Sequence, residues 1–114
     1  MRLKLIALAA GVLLLGACAN LKDPTTAIAA VDSAYAGAVA GEIAYLSGVV
    51  PGVKVDKAIA AQIEAYRVAA HNVLDPINKQ IAAGTPPTSD QALAAQAVLN
   101  VLTGYLAANN IPTQ

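Results

Sequence analysis

The chain has no tryptophan and no phenylalanine, and its only aromatic residues are four tyrosines among 114 residues. Any core must be built mainly from Ala, Val, Ile and Leu, which bury less area per residue than aromatic rings, and a chain this short has limited burial to begin with. Charge is equally sparse, with seven Lys/Arg balancing seven Asp/Glu. Without a basic patch there is nothing to hold phosphates, which argues against a nucleic-acid partner. One cysteine cannot close an internal disulfide, and together with one histidine it falls short of the three or four ligands that zinc requires. No resident metal or cofactor is expected. The length allows one domain at most.

What is present begins at the amino end. Met1-Arg2-Leu3-Lys4 carries two positive charges, and Leu5 to Leu15 then runs uncharged into Gly16-Ala17-Cys18. A basic start, an apolar run and a small-residue end are the features of a secretory signal. A helix that crosses the hydrocarbon core needs ~20 apolar residues, so this run is short for a retained anchor.

The last four residues of that segment, Leu15-Gly16-Ala17-Cys18, resemble the lipobox of bacterial lipoproteins, and they end on the chain's only cysteine. The resemblance covers residues 1–18 and nothing beyond. It implies that Leu15, Gly16 and Ala17 are read by the lipoprotein signal peptidase and that the peptide before Cys18 is removed. Cys18 would then carry a diacylglyceryl group, with a further acyl chain on its amino group in many bacteria. This covalent lipid is the one non-protein group implied. Two acyl chains, at ~0.8 kcal/mol per buried CH2, hold a protein stably on its membrane. By the sorting rule of enteric lipoproteins, Ala19 in place of Asp implies the periplasmic leaflet of an outer membrane, where the cell has one. The alternative is an ordinary signal cut near Ala17 that leaves Cys18 as a free thiol.

Removal of residues 1–17 leaves five Lys/Arg against seven Asp/Glu, a mildly acidic body. Residues 18–25 read as the lipidated cysteine and a tether; Ala19 to Thr25 reach at most about 25 Å when extended, which keeps the body near the bilayer. Beyond the tether, Gly48-Val49-Val50-Pro51-Gly52, Gly84-Thr85-Pro86-Pro87 and Asn109-Asn110-Ile111-Pro112 punctuate three Ala-rich segments. Each segment spaces its apolar residues in steps of three and four. The pattern predicts an all-α fold, a small three-helix bundle with helices near 26–47, 57–83 and 89–109, in a single domain over 26–114.

The second helix is bounded by Asp56 as N-cap and by Gly84 at its end. Ile59, Ile63, Tyr66, Ala70, Val73, Leu74, Ile77 and Ile81 form its apolar stripe, opposed by Lys57, Glu64, Arg67, His71, Asp75 and Asn78. Pro76 either kinks this helix near Asn72 or opens a new one capped by Asp75. The third helix starts with a capping box, Thr88 and Gln91, and with Asp90 near the positive end of the helix dipole. Its expected inner face is Val98, Val101, Leu102, Tyr105 and Leu106, with Gln96, Asn100 and Thr103 outside.

The first helix has no charged face. Ile28, Val31, Tyr35, Val39, Ile43 and Leu46 share a sector of roughly 120°, while Ala30, Ser33, Gly37, Gly41, Ala44 and Gly48 gather opposite. Asp32 and Glu42 lie in or beside the sector of large residues, which limits its burial or sets both acids at its ends and margins. Ser33, Gly37 and Gly41, with Ala44, form a stripe whose small-x3-small spacing lets helix backbones approach closely. The stripe serves either the chain's own second and third helices or an outside partner: another copy, an envelope protein, or lipid.

The residues that could carry chemistry are few. His71, with Glu64 and Asp75 on the same helix face, reads as part of a solvated polar surface, and Ser33, Ser47 and Ser89 lie in no nucleophile motif. Tyr35, Tyr45, Tyr66 and Tyr105 read as core residues whose hydroxyls reach water. No enzymatic activity is expected. The sequence points to a non-enzymatic protein-interaction or structural module at the membrane surface, with an envelope protein or a second copy as partner. Two alternatives stand beside it. One is a prophage-encoded lipoprotein acting in superinfection exclusion, receptor blocking or lysis. The other is a carrier of small apolar ligands, which a cavity lined by Tyr35, Tyr66 and Tyr105 would mark.

Overall fold

The computed structural model describes residues 23–113, which form α1 (Pro24–Leu46), α2 (Lys57–Ala82) and α3 (Ser89–Ala108), with no strand among the described residues. The fold is the small all-α three-helix bundle that the spacing predicts. α3 packs equally against α1 and α2, which touch each other less, so the last helix is the spine of the bundle.

The helix ends follow from local chemistry. The Asp23 carboxylate accepts hydrogen bonds from the backbone N–H groups of Thr25 (3.1 Å) and Thr26 (3.5 Å) and from the Thr26 hydroxyl (2.6 Å). Pro24 follows in the first turn, where its missing N–H costs nothing. α1 therefore starts two residues ahead of its apolar pattern, and Pro24 and Thr25 belong to the helix rather than to a tether. The Thr26 hydroxyl first, then the backbone donors, hold the Asp23 carboxyl below its ordinary value. Asp56 caps α2, and Thr88 and Gln91 make the reciprocal capping box of α3.

All three helices stop in the same way. The residue after each C-cap is left-handed: Gly48 (φ 73°), Gly84 (φ 91°) and Asn110 (φ 61°). Each then closes a Schellman motif. Val49 N–H donates to the Ala44 carbonyl, Thr85 N–H to that of Gln80, and Ile111 N–H to that of Leu106. Glycine has no Cβ to clash in this region, and asparagine tolerates it. Between these stops, α2 runs unbroken through Pro76, whose ring is exposed. The proline removes only the bond to the Asn72 carbonyl.

Packing departs from the simple apolar sectors. Along α1 the inward positions are Ile28, Val31, Tyr35, Ala38, Glu42 and Tyr45, all buried except Tyr35, which packs against the core from its margin. Their steps alternate three and four, the 3.5-residue seam of helices that wrap on one another. Such a seam drifts ~20° per heptad away from a straight 3.6-residue stripe. Val39 is consequently only half-buried, and Ile43 and Leu46, which share the sector of large residues, are 59% and 51% exposed. α3 shows the same alternation in Ala92, Ala95, Leu99, Leu102 and Leu106. Leu99 faces inward where Val101 was expected, Val101 is 50% exposed, and Gln96, expected outside, is buried beside the seam. α2 turns its expected stripe inward.

The core has two clusters, one around Ile28, Val31, Leu74 and Leu99, the other around Tyr45, Ile63, Leu102 and Leu106, with Tyr35 touching both. Tyr45 is the largest fully buried side chain. Its hydroxyl accepts from the Asp56 N–H (2.6 Å) and lies 3.3 Å from the Lys54 carbonyl and 3.4 Å from that of Asp56. It thereby ties the α1–α2 connection to the end of α1. Tyr45→Phe should destabilise the fold by about 1–2 kcal/mol, because it strands a backbone N–H beside the α2 cap. Urea denaturation of this variant against Tyr105→Phe, whose hydroxyl makes no hydrogen bond among the described residues, checks it.

Candidate functional site

Leu15, Gly16, Ala17 and Cys18 lie outside the described residues, which begin at Asp23, five positions after Cys18. Of the small-residue stripe on α1, Ser33 is exposed, Gly37 is half-buried, Ala44 packs against the second core cluster, and Gly41 is buried. The neighbour at Gly41 is the chain's own carboxyl end. A Cβ there would stand 2.6 Å from the Pro112 carbonyl oxygen and 3.4 Å from the Thr113 Cα. Ile111, only 2% exposed, pins this tail into the core. Gly41 and Ala44 are thus already used within the chain. The sequence shows the need for a close approach at Gly41, but the tail that makes it has no periodicity to reveal it.

The two acids of α1 are met by polar residues of α2. Asn78 Nδ2 donates to Asp32 Oδ1 (2.9 Å), and Arg67 Nε lies 3.0 Å from Glu42 Oε1. In an antiparallel pair, groups about three turns apart on one helix meet groups about three turns apart on the other. Arg67 and Asn78, read from sequence as part of a solvated stripe, are therefore contacts between helices. The Glu42 side chain is 8% exposed and that of Arg67 31%. Burial pushes the Glu42 carboxyl above its ordinary value; the Arg67 guanidinium opposes the shift, and the Glu64 carboxylate adds to it. An ion pair in a packing seam fixes register at some cost in stability.

Gln80 of α2 pairs with Gln91 of α3 (2.9 and 3.1 Å), and the other charged groups of α2 stay at or near the surface. Glu64 reaches Arg67 (3.5 Å) and Asp75 reaches Lys79 (3.0 Å), while the exposed His71 bonds to neither acid. Among the described residues no three His, Cys, Asp or Glu side chains come close enough to hold a metal ion. The tyrosines separate as well. The Tyr66 and Tyr105 rings meet edge to face at 5.3 Å, and the Tyr35 hydroxyl points to the Arg67 carbonyl (3.5 Å). A shallow apolar hollow of about 280 Å3 between α2 and α3 is lined by Tyr66, Ala69, Ala97, Val98 and Val101. Tyr35 and Tyr105 are not part of that lining, and the volume sits at the lower edge of what small-molecule sites enclose, roughly 300–1,000 Å3.

One end of the bundle stands out by its surface. Four of the large apolar side chains exposed among the described residues lie in the last turns of α1 and the connection to α2: Ile43 (59%), Leu46 (51%), Val49 (67%) and Val55 (47%). Lys54 and Lys57 are exposed in the same stretch. Arg67 and Lys79 are engaged in ion pairs, whereas neither of these two ammonium groups is, among the described residues. The acid between them, Asp56, is committed to capping α2 through the N–H groups of Ala58 (2.8 Å) and Ile59 (3.2 Å). Periodicity alone does not mark this surface, because it sets Ile43 and Leu46 in one sector with Ile28 and Val31, which are buried. By length and composition α1 could cross a membrane, although its inner seam is occupied by α2 and α3.

No protein-family model matches the chain, and no curated protein or solved structure matches it either.

Proposed function

We propose that the chain is a small bacterial lipoprotein, held by lipid on Cys18 to the periplasmic leaflet of the outer membrane where its cell has one, and that its helical body is a non-enzymatic interaction module at the membrane surface. The carrying observation is Leu15-Gly16-Ala17-Cys18, at the end of a charged and apolar amino-terminal segment and on the only cysteine of the sequence. The body supports the reading in one respect. Several of its polar side chains are spent on caps and helix pairing: Asp23, Asp56 and Thr88 at helix starts, Glu42 with Arg67, and Asp32 with Asn78.

Cys18→Ser should abolish incorporation of labelled palmitate and shift the protein to the soluble fraction or leave an uncleaved precursor. Unchanged processing and fractionation would sink the proposal. Cross-linking in the membrane followed by recovery through a carboxyl-terminal tag, with Cys18→Ser as the control, then reads the partner. One discrete envelope protein would make the body a binding module, and recovery of the chain alone would make it a structural oligomer.

A further inference from the structure

We propose that the α1–α2 end of the bundle is a second membrane contact, made on an anionic bilayer surface. α1 lies along the membrane, with Ile43, Leu46 and Val49 set into the boundary between headgroups and acyl chains, and Lys54 and Lys57 among the headgroups. The inference rests on the lipid-anchor reading, and chain geometry ties the two together. Asp23 follows Cys18 by five residues, which span at most about 18 Å, so the amino end of α1 cannot leave the surface. α1 is about 34 Å long, at 1.5 Å per residue over its 23 residues. Its far end therefore either stands off by that length or lies down beside the anchor.

The surface of α1 favours lying down. Ala29, Ala30, Ser33, Ala36, Ile43 and Leu46 are exposed along the helix, and none of them is charged. Both acids inside α1 are turned toward α2 by Asn78 and Arg67. Apart from the half-buried Asp32, held by Asn78, and Asp23 at the amino end, this side can meet an apolar boundary without stripping water from a charge, as an interfacial helix requires. The other outer surfaces are less suited. α2 exposes Glu64, His71 and Lys79, with Asp75 beside them, and Leu93 and Val101 on α3 have no lysine near them in sequence. At the α1–α2 end the apolar side chains come with two ammonium groups that make no ion pair among the described residues, and with Asp56 turned to the α2 cap the stretch keeps a net positive charge, the complement of an anionic headgroup layer.

The test uses the full-length protein, reconstituted into vesicles of phosphatidylcholine with or without phosphatidylglycerol. An environment-sensitive fluorophore is placed through Ile43→Cys or Val49→Cys, with Leu93→Cys and Val101→Cys for comparison; all four sites are exposed, and circular dichroism verifies the fold. At Ile43 and Val49 the probe should be quenched by spin-labelled lipid and shielded several-fold from aqueous iodide, and at Leu93 and Val101 the reverse should hold. Lys54→Glu and Lys57→Glu each change the local charge by two, at about fivefold per charge, and should each abolish most of the shielding in phosphatidylglycerol vesicles.

Iodide reaching all four probes equally overturns the contact, as does shielding that appears only in native envelopes, which would mean a protein partner. Shielding indifferent to both phosphatidylglycerol and the charge reversals overturns the anionic assignment. The intact mass of the same samples keeps the two readings apart. Acyl groups on Cys18 with every probe open to iodide remove this contact and leave the anchor; no acyl mass with shielding retained removes the anchor and leaves this contact.

Discussion

Arg67→Met is expected to lower stability by about 2–3 kcal/mol at neutral pH and by much less near pH 4.5. Removing one partner of a buried ion pair strands the other charge, which costs roughly 3–5 kcal/mol when both are fully enclosed. Arg67 is about a third exposed, so solvent already screens the pair and the loss is smaller. The pH dependence follows from Glu42. Burial already raises its carboxyl in the folded protein, and Arg67 is the group pulling it back down, while the Glu64 charge pushes it up. Without the guanidinium the folded value rises further above 4.5, its ordinary value. The folded state then binds a proton that the unfolded chain has already released. Stability from this group is complete below 4.5 and drains away as pH rises through the folded value. The wild type shows the same sign with smaller amplitude. Urea midpoints from pH 4 to 7 check the prediction, and Glu42→Gln in the Arg67→Met background should recover most of the neutral-pH loss. A deficit of equal size at both ends of the range would mean that Arg67 acts through packing of its stem rather than through charge.

Gly41→Leu should cost about 2–3 kcal/mol by overpacking, even though leucine is the better helix former by up to ~1 kcal/mol. A methyl group alone at this position would stand 2.6 Å from the Pro112 carbonyl, and backbone must move to admit anything larger. Ile111, tied to Leu106 by the closing bond of α3 (2.9 Å), keeps the tail from sliding aside. Two readings of the small-residue stripe are separated by concentration. A contact within the chain gives a melting temperature independent of protein concentration, in wild type and variant alike, whereas a contact between copies makes it rise with concentration. A concentration-dependent loss for Gly41→Leu would return the stripe to self-association.

These outcomes show where local rules stop being enough. The number and type of the helices and most of their limits were legible in the amino-acid sequence, because these boundaries are local chemistry: Asp56 and Thr88 supply oxygens to free N–H groups, and Gly48, Gly84 and Asn110 accept the left-handed conformation that ends a turn; the Asp23 cap that starts α1 was hidden in a stretch that reads as tether. The stripe of α2 was legible too, since strong apolar and polar faces leave one orientation. Whether Pro76 would split that helix was not, because a missing hydrogen bond can be absorbed when the ring faces water and the neighbouring turns are packed.

The inner faces of α1 and α3 were decided by tertiary structure. Both helices are rich in alanine and nearly uncharged, so their own patterns hardly distinguish one side from another. α1 places Glu42 in the seam because Arg67 waits across it, and it leaves Ile43 and Leu46 outside because a 3.5-residue seam turns away from them. Gly41 likewise has its reason in a tail some seventy positions away. What the sequence determined alone was therefore set by neighbours along the chain: the three helices, their stops, and the caps of the second and third. The choice of which surfaces face each other, and which apolar side chains remain exposed, belongs to contacts between residues far apart, where a polar group finds its partner only after the chain has folded.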